Sequence, residues 1–165
     1  MFSIVLFPAS SFYEIQYCRC KINIVFVLIL RTMVEVVCGI IVGENGLVLI
    51  GQRPLGKHLS GKWEFPGGKV QLNESKTDAL HRELFEELGS SIQIVFQMKC
   101  VRHVYDNGVA VALTPFVCKL NNTEEKPNAL EHTSIAWVSV DAVSTYDLAA
   151  ADIKVLAAYQ KWNGN

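Results

Sequence analysis

The chain has 165 residues, of which 50% are apolar and 19% charged, so it is a globular protein of one domain with a short appendage rather than a disordered one. Its formal net charge of -1 lacks the basic excess of proteins that bind polymeric nucleic acid, but it is compatible with a small phosphorylated substrate. The 5 cysteines lack the paired spacing of a zinc site, and free thiols of this kind favour a cytoplasmic protein.

Residues 1–32 differ in character from the rest of the chain. They are rich in aromatic side chains and end in the apolar run from Ile22 to Leu30, which is too short to span a bilayer as a helix. Their first basic residue is Arg19, which comes too late for the basic start of a secretory signal. We therefore expect no membrane partner, and we interpret residues 1–32 as an over-extended start or a dispensable tail and residues 33–165 as the domain.

The first part of this domain has the pattern of a β-hairpin followed by a loop. The β-branched run from Val34 to Val42 predicts a buried strand, and Leu47 to Gln52 predicts the strand that returns after an Asn-Gly turn. Arg53 to Lys62 contains proline and glycine and predicts a loop. Trp63 to Phe65 should be short and extended, because the proline that follows disfavours helix at the preceding residue.

The clearest helix is predicted from Ser75 to Leu88. One apolar stripe recurs along it at every fourth residue: Leu80, Leu84 and Leu88. Asn73 is the predicted N-cap, and Gly89 is the predicted C-terminal stop.

The remaining residues alternate between strands and helices. Ser91–Tyr105 and Val109–Leu120 predict two strands joined by a turn, and Ser134–Val138 predicts a short third one. Asp141–Tyr146 and Asp152–Trp162 predict helices. Strands and helices mixed in this order are typical of an α/β (α+β) protein.

Three carboxylates share one side of the predicted helix. Glu83, Glu86 and Glu87 lie at positions i, i+3 and i+4, where like charges repel one another and destabilise an isolated helix. A divalent cation would offset this repulsion, and clustered hard oxygen ligands suit Mg²⁺ or Mn²⁺. The alternative for such a cluster alone is a solvated acidic helix face.

The segment GGKVQLNESKTDALHRELFEELG, which begins at Gly67, decides between these alternatives. It resembles the Nudix box, a motif of fixed residues at fixed spacing that are all present here: Gly68, Glu74, Arg82, Glu83, Glu86, Glu87 and Gly89. Ser90 departs from the aliphatic residue that usually ends the motif, but that position packs rather than reacts. The resemblance implies an α/β/α sandwich with a mixed central sheet.

The resemblance also implies roles for individual residues. Glu83, Glu86 and Glu87 would bind the metal, together with the carbonyl of Gly67. Glu131, which lies six residues before Trp137, matches the position of one further carboxylate on a late loop. Catalysis would depend on Glu83, Glu87 and Glu131, with either Glu83 or Glu131 as the general base. The structural positions of the box would be Gly68, Glu74, Arg82 and Gly89.

The segment WEFPGGK is similar to the MutT-like branch of this family, whose members hydrolyse 8-oxo-dGTP to the monophosphate and pyrophosphate and so cleanse the nucleotide pool. In that branch Arg53 would contact a phosphate, Phe65 would stack on the base or pack in the core, and Lys69 would assist with phosphates. Asp152 occupies the position of a base-reading amide, or else serves as a helix N-cap.

Asp152 leaves a second substrate class open. A carboxylate cannot present the donor and the acceptor of an amide together, and the surrounding segment also resembles the CTP and 5-methyl-dCTP pyrophosphohydrolases of the same superfamily. The expected partner is therefore a nucleoside triphosphate, bound by a monomer or a homodimer. A non-catalytic Nudix-fold binding module is the alternative of another class, although such proteins usually lose metal-binding glutamates.

Overall fold

The computed structural model describes residues 16–17, 20–21, 33–122 and 126–164. Its contacts divide the chain into two units, Met1–Thr32 and Met33–Asn165. In the first unit, β1 (Gln16–Tyr17) pairs with β2 (Cys20–Lys21) in an antiparallel ladder. Most of residues 1–32 lie outside the described residues, so the interpretation of this segment as an over-extended start stays a prediction. Among the described residues, no helix has both the length and the apolar character that a bilayer span requires.

The described residues of the second unit form seven strands and two α-helices. Its strands are β3 (Val34–Ile41), β4 (Val48–Gln52), β5 (Trp63–Glu64), β6 (Ile92–Gln97), β7 (Val101–Val104), β8 (Ala110–Leu120) and β9 (Ser134–Val138). Its helices are α1 (Lys76–Leu88) and α2 (Ala150–Asn163), with a 3-10 helix at Ala142–Thr145.

Strand β8 is the centre of a mixed sheet, because β3 pairs with it in parallel while β6 and β7 pair with it antiparallel. Strand β4 lies between β5 and β9 in a second, antiparallel sheet. The predicted mixed sheet is therefore confirmed.

The alternation of side chains along β3 places a helix on each of its faces. Val37 and Ile41 belong to the buried cluster that contains the leucine stripe of α1. Cys38 and Ile40 point the other way and pack in the cluster that contains Val155 of α2. Because successive strand residues point to opposite faces, two helices can cover one strand. This arrangement is the predicted α/β/α sandwich.

Two local predictions were wrong. The N-cap of α1 is Ser75, whose Oγ accepts the N–H of Asp78 at 3.1 Å, whereas Asn73 lies earlier with a φ of 65°. The single strand predicted from Ser91 to Tyr105 is two strands, because residues 98–100 interrupt the regular pairing with β8 between Gln97 and Val101. The predicted stop of α1 at Gly89 is confirmed by its left-handed conformation.

Candidate metal and phosphate site

A glycine turn after β5 crosses the middle of β3 at close range. Val37 donates its N–H to the Gly68 carbonyl at 2.9 Å, and Gly39 donates to the Pro66 carbonyl at 2.8 Å. Gly67 lies between them with a φ of 150°, and a Cβ there would be 2.2 Å from the Val37 carbonyl oxygen. Within the described part of the chain the Gly67 carbonyl accepts no hydrogen bond, so its oxygen is available to a ligand.

The C-terminal half of α1 brings carboxylates to this turn. Glu87 is buried, and its Oε2 accepts the Gly67 N–H at 2.8 Å. Burial raises the pKa of Glu87 to about 8, because desolvation penalises its charged form. The Glu83 carboxylate occupies the space where a side chain at Gly68 would lie, since a Cβ there would be 2.3 Å from its Cδ. Gly68 therefore leaves the space that the Glu83 carboxylate occupies, whereas Gly67 allows the turn to pass close to β3 and donates its N–H to Glu87.

Arg82 connects these carboxylates to the loop before the helix. Its Nε and Nη2 donate to the Glu74 carboxylate at 2.8 and 2.9 Å, and its Nη2 also donates to the Lys69 carbonyl at 3.0 Å. The hydrogen bonds from Arg82 lower the pKa of Glu74 to about 2. Nη1 of the same guanidinium contacts Glu83 at 2.8 Å and Glu86 at 3.2 Å. The guanidinium thus partly neutralises three carboxylates. Its bonds to Glu74 and to the Lys69 carbonyl join the helix to the preceding loop, as a structural role for Arg82 requires.

The chemistry of this donor set fits a hard divalent cation. Glu83, Glu86 and Glu87 would supply carboxylate oxygens, and Gly67 would supply a carbonyl that has no other hydrogen-bond partner among the described residues. Desolvation raises the pKa of Glu87 by more than the His132 charge and the Gly67 N–H lower it, so protein groups compensate its charged form only in part. Oxygen-only ligands of this kind suit Mg²⁺ or Mn²⁺.

A second polar cluster lies beside the first, and two of its members, Glu64 and His132, were missed by the sequence analysis. Nη1 of Arg53 contacts both oxygens of Glu64 at 2.7 Å, and Nε of Arg53 donates to the His58 carbonyl at 2.8 Å. Nε2 of His132 lies 3.3 Å from Oε1 of Glu64. Burial opposes protonation of His132, but the hydrogen bond with Glu64 and the negative charges of Glu87 and Glu64 together raise the pKa of the imidazole. A charged residue inside the apolar strand Trp63–Phe65 was the signal that could have pointed to Glu64.

The other predicted site residues fall in different environments. Phe65 is 2% exposed and packs in the core, which is the packing alternative for this residue, and Lys69 is exposed. Glu131 is exposed and lies 3.6 Å from Lys57, and its role as a further metal ligand or base stays a prediction. Asp152 is buried in the first turn of α2 and accepts the Phe65 N–H at 3.0 Å.

The N-cap alternative for Asp152 was wrong, because Ala149 occupies the N-cap of α2. Asp152 instead connects α2 to the strand that leads into the glycine turn. Burial raises its pKa to about 8. A largely protonated Asp152 near neutral pH can keep one oxygen for the Phe65 N–H and offer a hydroxyl from the other, which a simple carboxylate cannot do.

This pKa predicts how stability depends on pH. The unfolded chain releases the Asp152 proton above about pH 4 while the folded chain keeps it until about pH 8, so the stability it contributes is present below pH 4 and is lost as the pH rises through this window. We expect Asp152→Asn to remove a slope of at most about 1.4 kcal/mol per pH unit. Urea unfolding from pH 4.5 to 8.5 in EDTA measures it.

The exposed Asp106→Asn in the β7–β8 turn is the matched control. Glu87 titrates in the same direction, so part of the wild-type slope should survive in Asp152→Asn. If the free energy of unfolding of Asp152→Asn and of the wild type changed in parallel over the whole pH range, the prediction of a protonated Asp152 would be contradicted.

Comparison with known proteins agrees with this geometry. The family model described as NUDIX domain matches residues 37–158. The CTP pyrophosphohydrolase of Escherichia coli K12 is 35% identical over 127 residues, which cover 77% of this chain and 91% of that protein. The 8-oxo-dGTP diphosphatase of Proteus vulgaris is 41% identical over 73 residues, which cover 44% of this chain and 65% of that protein. The solution structure of the Escherichia coli ORF135 protein is 34% identical, with a TM-score of 0.65, and the match covers 79% of this chain and 91% of that one.

Proposed function

Because the chain belongs to the NUDIX domain family and is a hydrolase of phosphoric anhydrides, we propose that it cleaves a nucleoside triphosphate to the monophosphate and pyrophosphate. The observation that carries this proposal is the approach of the α1 carboxylates to the glycine turn, where Glu87 accepts the Gly67 N–H and Glu83 fills the space above Gly68. Small triphosphates need such an acidic site for their cations, and the chain has no general basic excess for a nucleic-acid polymer.

We assign Mg²⁺, with Mn²⁺ as a substitute, to Glu83, Glu86, Glu87 and the Gly67 carbonyl. When bound there, a divalent cation supplies charge neutralisation on the phosphates and lowers the pKa of a water. Glu83 is the better candidate for the general base, because it lies at the turn while Glu131 is exposed beside Lys57. Arg53 keeps its Nη2 without a partner among the described residues, and this donor suits a phosphate oxygen.

We propose 8-oxo-dGTP as the preferred substrate, in line with the MutT-like segment around the turn and with relatives of that name. The pyrimidine nucleotides CTP and 5-methyl-dCTP are a second candidate, which two observations favour. One is the similarity to a CTP pyrophosphohydrolase along 77% of this chain, and the other is an acid rather than an amide at Asp152.

A panel of four nucleotides distinguishes the two candidates. We expect pyrophosphate release in Mg²⁺ with a kcat/KM for 8-oxo-dGTP at least about tenfold above that for dGTP, CTP or 5-methyl-dCTP, because a base that leaves a buried polar group of the site unpaired is strongly rejected. Higher kcat/KM for CTP would replace the first candidate by the second. Nucleotide binding without any hydrolysis would favour the non-catalytic module instead.

The cellular setting follows as part of the proposal. An 8-oxo-dGTP diphosphatase sanitises the nucleotide pool and so protects replication from mutation, and this role places the protein in the cytoplasm. We propose a monomer or a homodimer. We also propose that residues 33–165 suffice for activity, since the NUDIX match begins at residue 37.

A further inference from the structure

His132 lies in a slot that β4 provides for it. The residue lies two positions before the start of β9, and its side chain is 2% exposed. Its imidazole lies against Gly51 of β4, where a Cβ would be 2.5 Å from Cδ2 and 2.6 Å from Nε2 of the ring. Real atoms do not approach so closely, so this ring position requires glycine at residue 51. The shape of this slot fixes the position of the imidazole independently of its hydrogen bonds.

The fixed ring presents one nitrogen to the polar cluster. Gly51 pairs with Glu64 across β4 and β5, and Nε2 of His132 lies 3.3 Å from Oε1 of that carboxylate. Nδ1 has no hydrogen-bond partner in the part of the chain that the structure describes. The ring therefore contacts the polar cluster through Nε2. Neutral imidazole with its proton on Nε2 is sufficient as the donor.

Glu64 connects His132 to the arginine of the proposed phosphate site. Both of its oxygens are 2.7 Å from Nη1 of Arg53, while Nε of Arg53 donates to the His58 carbonyl. Two sides of the planar guanidinium are thus fixed, and Nη2 keeps its donors on a side chain that is 26% exposed. The direction of those donors depends on the orientation of the Glu64 carboxylate.

We propose that His132 is a positioning residue, which holds Glu64 so that Arg53 presents its free donors to the nucleotide phosphates. This inference rests on the proposed function, and it extends the site to a residue behind the arginine. It predicts a defect in binding rather than in the chemical step, because the carboxylates at the glycine turn keep their own contacts with Gly67 and Arg82.

A metal site is the alternative for His132 and Glu64, because Glu64, Glu87 and His132 offer ligand atoms within 4.8 Å of one another. Arg53 argues against this, since its Nη1 already contacts both Glu64 oxygens and a metal ion would have to lie beside that positive charge. The arrangement therefore favours a hydrogen-bonded support over a further cation site.

The test compares His132→Phe with His132→Gln in the full chain. Phenylalanine keeps a flat ring for the slot at Gly51 but has no donor, whereas the glutamine amide can place its Nε2 near the nitrogen it replaces. We expect His132→Phe to raise KM, and the Kd of the non-hydrolysable α,β-methylene analogues of dGTP and CTP in Mg²⁺, about tenfold. Its kcat should stay within about twofold of wild type, and His132→Gln should recover most of the binding.

His132→Asn is the second variant, because its shorter amide reaches the Nδ1 position and leaves Glu64 without the donor. Should the phenylalanine variant not fold, binding by the asparagine and glutamine variants still decides the question. Equal binding by wild type and the donor-free variants, or equal losses with glutamine and asparagine, would overturn the positioning role. A wild-type protein that hydrolyses no nucleotide would instead reject the proposed function, and this inference with it.

Discussion

Glu83→Gln should lower kcat for nucleoside triphosphate hydrolysis by at least about a hundredfold at saturating Mg²⁺ while the fold persists. The substitution removes one negative charge and keeps the size of the side chain. Its amide oxygen can still accept from Nη1 of Arg82, which contacts the Glu83 carboxylate at 2.8 Å in the wild type. The loss of activity should therefore arise at the cation or at the attacking water, because the carboxylate serves there as ligand or base.

Initial rates of pyrophosphate release across a range of Mg²⁺ concentrations measure this effect, and thermal unfolding in EDTA monitors the fold. Glu44→Gln in the exposed β3–β4 turn is the matched control, because it makes the same chemical change far along the chain from the glycine turn. Turnover of Glu83→Gln close to the wild-type value, at any Mg²⁺ concentration, would exclude the role that we assign to this carboxylate.

Gly67→Ala should have the largest effect on stability. A Cβ at this position would lie 2.2 Å from the Val37 carbonyl oxygen and 2.7 Å from the Cys38 Cα, both of which are backbone atoms of the central strand and cannot rotate away. The φ of 150° adds strain for any residue with a side chain. We expect the free energy of unfolding to fall by more than about 3 kcal/mol and hydrolysis to be lost with it.

Urea unfolding of the metal-free protein measures this cost, with Gly46→Ala as the control. Gly46 also has a positive φ, at 71°, but a Cβ there meets no atom within 4 Å. That variant should therefore lose only about 1 kcal/mol, from backbone strain alone. Equal losses in the two variants would show that the close approach of the turn to β3 is not what requires glycine at residue 67.

The two experiments address separate properties of one turn. The Gly67 variant tests whether the backbone of the turn can pass close to β3. The Glu83 variant tests the negative charge that the helix places beside that turn. Active Gly67→Ala protein of normal stability would contradict the geometry, whereas a folded and fully active Glu83→Gln would contradict only the chemistry.

The sequence by itself determined the family, the sandwich and the side of α1 that carries the three acids. Fixed spacing along one helix places residues on a known face, so Leu80, Leu84 and Leu88 had to be buried together, and the acids at positions 83, 86 and 87 had to lie close to one another. These relations are local, and they hold wherever the helix packs. The same reasoning supplied Gly89 as the end of the helix, because a left-handed residue is needed there.

Only the tertiary structure decided which residues from distant parts of the chain share the site. Glu64 and His132 are 68 positions apart, and their contact depends on the pairing of β4 with both β5 and β9. The register of those strands places Gly51 opposite Glu64 and leaves room for an imidazole, which no local pattern encodes. Asp152 shows the same limit, because its burial and its bond to Phe65 arise from the packing of α2 beside the strand before the turn. Hydrophobic periodicity records which face of an element is buried, but the partner on that face is chosen by the fold as a whole.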